Sequence, residues 1–162
     1  MRMPALRHLA ATATALAFAT ILLGVYTATT GAGLACDARW PLCDGWLGLF
    51  PDGWHSFVEW FHRLVAMFTG FAVLGTAVAA WRGGASRRIR RAATFALALT
   101  PVQFVLGAMT VFSYRPTEQV AHHAAALLIF AALLATALWA FEEANGPRTE
   151  EPSRTDTATA DD

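Results

Sequence analysis

The chain has 162 residues, of which 56% are hydrophobic and only 15% charged, which leaves it short of polar surface for a soluble domain. Twelve arginines balance twelve acids with no lysine, and this neutrality argues against a nucleic-acid binder. Collagen-like, highly charged disordered and disulfide-dense secreted chains are excluded as well, and the composition points to a membrane protein.

A bilayer core needs about 20 mostly apolar residues per helix, and four stretches meet that length. The first, residues 9–27, carries no charge. It is longer than a signal-peptide core and flows into a Gly-Thr-rich segment, so it reads as a retained span. An outer loop of residues 28–56 follows. The second span, residues 57–81, confines its charges to Glu59 and Arg63 in the opening turns. The third, residues 92–112, is interrupted only by Pro101 and Gln103, and the fourth, residues 119–141, carries His122 and His123. Residues 145–162 form an acidic tail that reads as disordered.

Arginine placement sets the orientation. Arg82, Arg87, Arg88, Arg90 and Arg91 crowd the middle connector, and Arg2 and Arg7 open the chain, whereas the other connectors hold only Arg39 and Arg115. The positive-inside rule then makes both termini and the middle connector cytoplasmic. The expected architecture is an all-α integral membrane four-helix bundle over residues 1–144, in the cell membrane.

Cys36 and Cys43 both fall in the outer loop, on the oxidising side. As a structural disulfide they would contribute roughly 2.5 kcal/mol by loop closure; as a pair of neighbouring thiols they could also cycle in redox chemistry. Trp40, Trp46 and Trp54 suit a loop lying on the membrane interface, where it could roof a cavity between the helices.

Ionisable residues inside a span are functional candidates by default. Glu59 and His62 are three apart and share a helix face. His122 and His123 open the fourth span at the same outer depth. A weak internal repeat ties these residues together. Leu23-Gly24-x-x-Thr27 matches Leu106-Gly107-x-x-Thr110, and Glu59-x-x-His62-x-x-x-Ala66 matches Gln119-x-x-His122-x-x-x-Ala126. Two helix pairs of one orientation imply a pseudo-twofold axis along the membrane normal, with His62 and His122 facing it. Two such imidazoles suit the axial positions of one haem iron. The repeat favours His122 over His123, which points about 100° away. Arg63 suits a haem propionate or snorkels to the interface. Gln103 is an interhelical hydrogen-bond partner or a site residue.

These motifs resemble the haem A synthase family. Thr30-Gly31-Ala32-Gly33-Leu34-Ala35-Cys36 with Trp40-Pro41-Leu42-Cys43-Asp44-Gly45 looks like its first outer loop. Glu59-Trp60-Phe61-His62-Arg63 is similar to its Glu-x-x-His-Arg motif, and Gln103-x-x-x-Gly107-x-x-Thr110 and His122-x-x-x-Ala126 follow in order. The resemblance implies oxidation of a ring methyl of haem O to the formyl group of haem A, used by terminal oxidases. It implies His62 and His122 as haem ligands, Glu59 as the catalytic acid and Cys36–Cys43 as the loop pair. Haem O would be substrate, haem B a cofactor, or both. Family members usually contain two four-helix halves; this chain carries one such unit, most similar to the first, and lacks an arginine some members have near Ala28. Either copies of the chain assemble, or one half suffices, or a partner such as haem O synthase or an oxidase assembly factor completes the enzyme; a homo-oligomer is the expectation. The competing readings are a bis-histidine cytochrome that only carries electrons, which leaves Glu59 without a task, a membrane thiol oxidoreductase, and a non-catalytic bundle assisting oxidase assembly.

Overall fold

The computed structural model describes residues 3–146. Four helices make up nearly all of it: α1 (Met3–Thr30), α2 (Trp54–Arg82), α3 (Arg87–Phe112) and α4 (Pro116–Asn145). A single 3-10 turn, Ala32–Leu34, opens the loop between α1 and α2. No strand occurs among the described residues, so the all-α architecture expected from the sequence holds. All four helices are long and apolar enough to cross a membrane. At 1.5 Å per residue they run to about 39–45 Å, well beyond a ~30 Å hydrocarbon core. Each is longer than its apolar stretch alone because polar residues continue it at the ends. The acidic tail expected over residues 145–162 lies, from residue 147 onward, outside the described residues.

Local chemistry accounts for the helix ends. Pro116 stands at the first turn of α4, where its missing N–H costs nothing, and Glu118 follows in the same turn. At the other end of α2, Gly84 takes φ +66°, and the Ala85 amide donates to the Ala80 carbonyl at 3.2 Å. That left-handed closure needs glycine and reverses the chain within four residues before α3 begins. Pro101 lies inside α3 without ending it, as spans packed among neighbouring helices permit.

The helices meet through small residues. Ala10, Ala13 and Ala17 of α1, Ala93 and Ala96 of α3, Ala77 and Ala80 of α2, and Ala137 and Ala140 of α4 are all buried. Where lipid offers no hydrophobic contrast, small side chains let backbones approach and gain dispersion contacts. Thr76 and Thr136 are fully buried, and each hydroxyl donates to the carbonyl four residues earlier, at 2.7 and 2.8 Å. Phenylalanines and leucines instead cover the outside, among them Phe18, Phe68, Phe71, Val105 and Leu138.

The repeat extends far beyond its motifs. A shift of 83 residues carries the buried Leu6, Ala10 and Ala13 of α1 onto the buried Ile89, Ala93 and Ala96 of α3. A shift of 60 carries Val73, Thr76, Ala77 and Ala80 of α2 onto Leu133, Thr136, Ala137 and Ala140 of α4. The same operation relates two cation–π contacts at the arginine-rich end. Arg7 lies over the Phe141 ring at 5.4 Å, and Arg90 over the Trp81 ring at 4.9 Å. The bundle is thus two copies of one helix pair.

Candidate functional site

The cavity of the bundle lies toward the ends of the helices that adjoin the long loop, and has a volume of about 520 Å³. That falls within the usual range for a cofactor or small-ligand site. All four helices and the loop contribute to its wall, and His62, His122, Glu59, Arg63, Gln103 and His123 all line it. Every site residue singled out on α2, α3 and α4 therefore converges on one space.

The two histidines are held in matching cradles. His62 faces α1 at Gly24, where an added Cβ would stand 3.1 Å from the ring carbon Cε1; His122 faces α3 at Gly107 with the same 3.1 Å approach. Any side chain at either glycine would push the imidazole away. Each glycine carbonyl accepts the hydroxyl of the threonine three residues on, Thr27 at 2.9 Å and Thr110 at 2.7 Å. The Leu-Gly-x-x-Thr motif is therefore a histidine seat, built once on α1 and once on α3. The Nδ1 atoms of both histidines are buried without a hydrogen-bond partner. Ala66 and Ala126, one turn further along α2 and α4, keep the wall small beneath each ring.

The seats carry different neighbours. Gln103 places its side-chain amide 3.3 Å from His122 Nε2, and its Oε1 is buried and unpartnered. The equivalent residue beside His62 is Thr20, whose hydroxyl lies 2.8 Å from that of Thr69. His123 turns aside from His122, ring edge to face, and its Nδ1 lies 2.8 Å from the Gln119 carbonyl, the partner to which it donates. His122 is thus the seated ring and His123 the one tethered to its own helix, although both border the cavity.

Glu59 is buried at the outer end of the cavity and paired with Arg63, Oε1 to Nε at 2.9 Å. Arg63 Nη1 also donates to the loop carbonyls of Leu42 at 2.7 Å and Arg39 at 2.9 Å. The guanidinium therefore pins the loop over the cavity, while Nη2 is buried without a partner. In the second half the repeat replaces Glu59 and Arg63 by Gln119 and His123, so charge sits on one side only.

The loop forms a roof, as its composition suggested. Trp40, Pro41, Leu42 and Leu49 border the cavity from above. Cys36 and Cys43 are joined in a disulfide with Cα atoms 4.6 Å apart, and both are buried. Ser56 at the start of α2 donates to Asp44 at 2.7 Å and fixes the loop to the bundle. Tyr114, which composition alone did not single out, reaches from the α3–α4 connection to donate to the Ala28 carbonyl at 3.0 Å. Trp46 and Trp54 remain widely exposed at the rim, where interfacial aromatics belong.

Among the described residues no three His, Cys, Asp or Glu side chains converge as a metal cluster. Two imidazoles lining one cavity fall short of the four ligands of a structural zinc site, but they are donors of the kind that could hold a haem iron. The unpartnered Nδ1 atoms, the small walls and the cavity size fit that group.

Comparison with known proteins agrees with this geometry. The chain is 42% identical over 146 residues to a Halobacterium salinarum protein named protoheme IX farnesyltransferase, covering 86% of this chain and 32% of that one. It is 32% identical over 141 residues to heme A synthase of Bacillus licheniformis, covering 85% of this chain and 46% of that enzyme. Heme A synthase of Geobacillus kaustophilus is 34% identical over 138 residues, with 82% and 43% covered. The chain thus spans less than half the length of each of these relatives. The family model described as cytochrome oxidase assembly protein, COX15-CtaA, matches residues 52–160, which include α2 with Glu59 and His62 and α4 with His122. The chain belongs to the COX15-CtaA family of cytochrome oxidase assembly proteins.

Proposed function

We propose that the bundle is the haem-binding unit of a membrane oxidoreductase that converts the ring methyl of haem O to the formyl group of haem A for terminal oxidase assembly. The observation that carries this reading is the pair of glycine-seated histidines, His62 and His122, related by the internal repeat and facing one cavity. Two of the relatives are named heme A synthase, and they share the segment that holds both histidines.

In this reading His62 and His122 would hold the haem iron, and His123 would not bind it. When bound, haem O supplies the reacting methyl group and a redox-active iron. Glu59 is the catalytic residue: a buried carboxylate at the cavity wall would accept a proton from the reacting methyl, or stabilise positive charge there, while an external electron acceptor takes the electrons. Arg63 orients Glu59 through their ion pair and offers its free Nη2 to a propionate carboxylate. Gln103 holds the His122 ring in place. The loop disulfide keeps the roof closed above the reacting edge. Haem B is the second haem to be considered for the site, as cofactor rather than substrate.

The arginines of the N-terminus and of the α2–α3 connection support a cytoplasmic side of the cell membrane for that connection and both termini, with the Cys36–Cys43 loop outside. The heme A synthase relatives are more than twice the matched length, which supports a second four-helix unit beside this one, in this reading a further copy of the chain. A prenyltransferase acting on protohaem is the proposed supplier of substrate, because relatives bearing that name contain this bundle within a chain three times the matched length.

The test is chromatography of the haems extracted from the chain expressed in a host that supplies haem O. Haem A or its hydroxymethyl precursor, absent in Glu59→Gln, is the expected result. Haem B alone with an intact bis-histidine spectrum would replace this reading with an electron carrier.

A further inference from the structure

We infer that the seam between α2 and α3 is the lateral exit through which the isoprenoid chain of a farnesylated haem leaves the cavity, with Gly70 and Phe104 setting its width. The inference rests on the cavity being a haem site.

Three observations carry it. The cavity is chemically two-ended. Its charged and imidazole groups, Glu59, Arg63, His123 and the two seated histidines, lie in its outer half, whereas its inner part is bordered by Ala17, Met67, Gly70, Val73, Phe104 and Ile129, with threonine hydroxyls and the Gln103 amide, which turns to His122, as the polar groups among them. From His62 to Val73 the wall descends about 16 Å along α2. A ring with carboxylates on one edge and a long hydrocarbon on another fits such a space in only one sense, tail inward and away from the polar rim.

The second observation is where that apolar part opens. Met67 of α2 and Phe104 of α3 border the cavity and are also exposed on the outer face of the bundle, at 43% and 39%. Residues that are both cavity wall and outer surface mark a side opening, and here it faces the lipid, flanked by Phe71 and Val105.

The third is a break in the internal repeat. The operation that superposes α2 on α4 carries Gly70 onto Phe130. Phe130 fills the α1–α4 seam: it packs on the buried cluster of Ala17, Val73 and Leu133, meets the tilted Phe18 ring with centroids 6.0 Å apart, and borders a shallow outer groove but not the histidine cavity. In the equivalent seam Gly70 brings no side chain of its own, and the Phe104 ring of α3 lies against it, Cζ at 3.3 Å and Cε2 at 3.4 Å from an added Cβ. One seam is filled from α4 by an aromatic ring packed on the core; in its symmetry mate α2 contributes only a glycine, and the half-exposed Phe104 ring is what covers it. Symmetric packing would have no use for that difference. A ligand with one long apolar substituent does.

The experiment titrates haem O and haem B, identical except for the farnesyl-bearing substituent, into the detergent-solubilised full chain and follows the Soret band. The wild-type chain binds both. Gly70→Leu weakens haem O binding by about tenfold or more while haem B binding stays within about twofold, since overpacking acts only where the tail passes. Gly70→Ala gives a smaller loss of the same sign, which preserves the test if the larger residue disturbs folding. Phe104→Ala combined with Gly70→Leu restores haem O binding by returning the volume. Equal losses for the two haems, or no loss for either, would overturn the seam as a tail exit and leave Gly70 as a helix-packing residue. A wild-type chain that binds neither haem would instead overturn the haem reading itself, before any variant is made.

Discussion

Glu59 and Arg63 form the one charged pair that borders the cavity, and each does more than neutralise the other. Arg63 spends its Nε on the carboxylate and its Nη1 on the Leu42 and Arg39 carbonyls, so the acid and the roof are fastened by one side chain. Glu59→Gln is isosteric and keeps a hydrogen-bond acceptor toward Arg63. It is expected to leave haem content near wild type while product formation falls by about a hundredfold or more, the scale of a lost acid–base group. Haem content and extracted product, measured on the same preparation, separate the two. Arg63→Ala removes the loop anchor too and leaves the carboxylate buried without its partner, a loss on the order of 3–5 kcal/mol. A fall in the thermal midpoint larger than that of Glu59→Gln checks this. At the disulfide, reduction is expected to lower stability by roughly 2.5 kcal/mol through the unfolded state, visible as a lower unfolding midpoint with reductant than without. The sequence already showed which residue types stood at which depth, because charge and imidazole are conspicuous inside an apolar span. It could not show Arg63 reaching the loop carbonyls or Gln103 reaching His122, since those contacts join residues more than fifteen positions apart in sequence.

The helix pair is the element that builds the site. Gly24 and Gly107 allow α1 and α3 to approach within ring contact of His62 and His122, and the following threonines close each glycine carbonyl. In the sequence these glycines stand only as parts of a repeated motif; in the bundle their side-chain volume is what the imidazole occupies. Gly24→Val and Gly107→Val are therefore expected to displace the facing histidine and cut haem affinity by about tenfold or more, in line with overpacking costs of ~1–3 kcal/mol. A haem titration checks this, and an unchanged affinity would show the seats to be incidental. The repeat was legible in the motifs because Gly, Thr and His stand out against alanine and leucine. Its continuation through Leu6 and Ile89, or Thr76 and Thr136, was hidden, because any apolar helix offers such matches until burial selects among them. The roles of Gly70 and Phe130 were hidden for the same reason: only the packed bundle reveals which seam each one faces.

At the scale of the molecule, four spans, two seats and one cavity follow from duplicating a helix pair about an axis along the membrane normal. The duplication brings two histidines to one depth, and the departures from it (Glu59 against Gln119, Thr20 against Gln103, Gly70 against Phe130) give the cavity distinguishable sides. A symmetric container would bind a ring; an asymmetric one can select an edge of it. Orientation belongs to this scale as well. With Cys36 and Cys43 paired, the cysteine of Arg87→Cys is expected to resist a membrane-impermeant thiol reagent in intact cells, while that of Leu47→Cys reacts. The most direct measurement of the central claim is the optical and EPR spectrum of the purified chain loaded with haem, compared across His62→Ala, His122→Ala and His123→Ala. Low-spin bis-histidine signals that vanish in the first two variants and persist in the third are the expected result. Signals that survive His62→Ala or His122→Ala, or that depend on His123 instead, would contradict it.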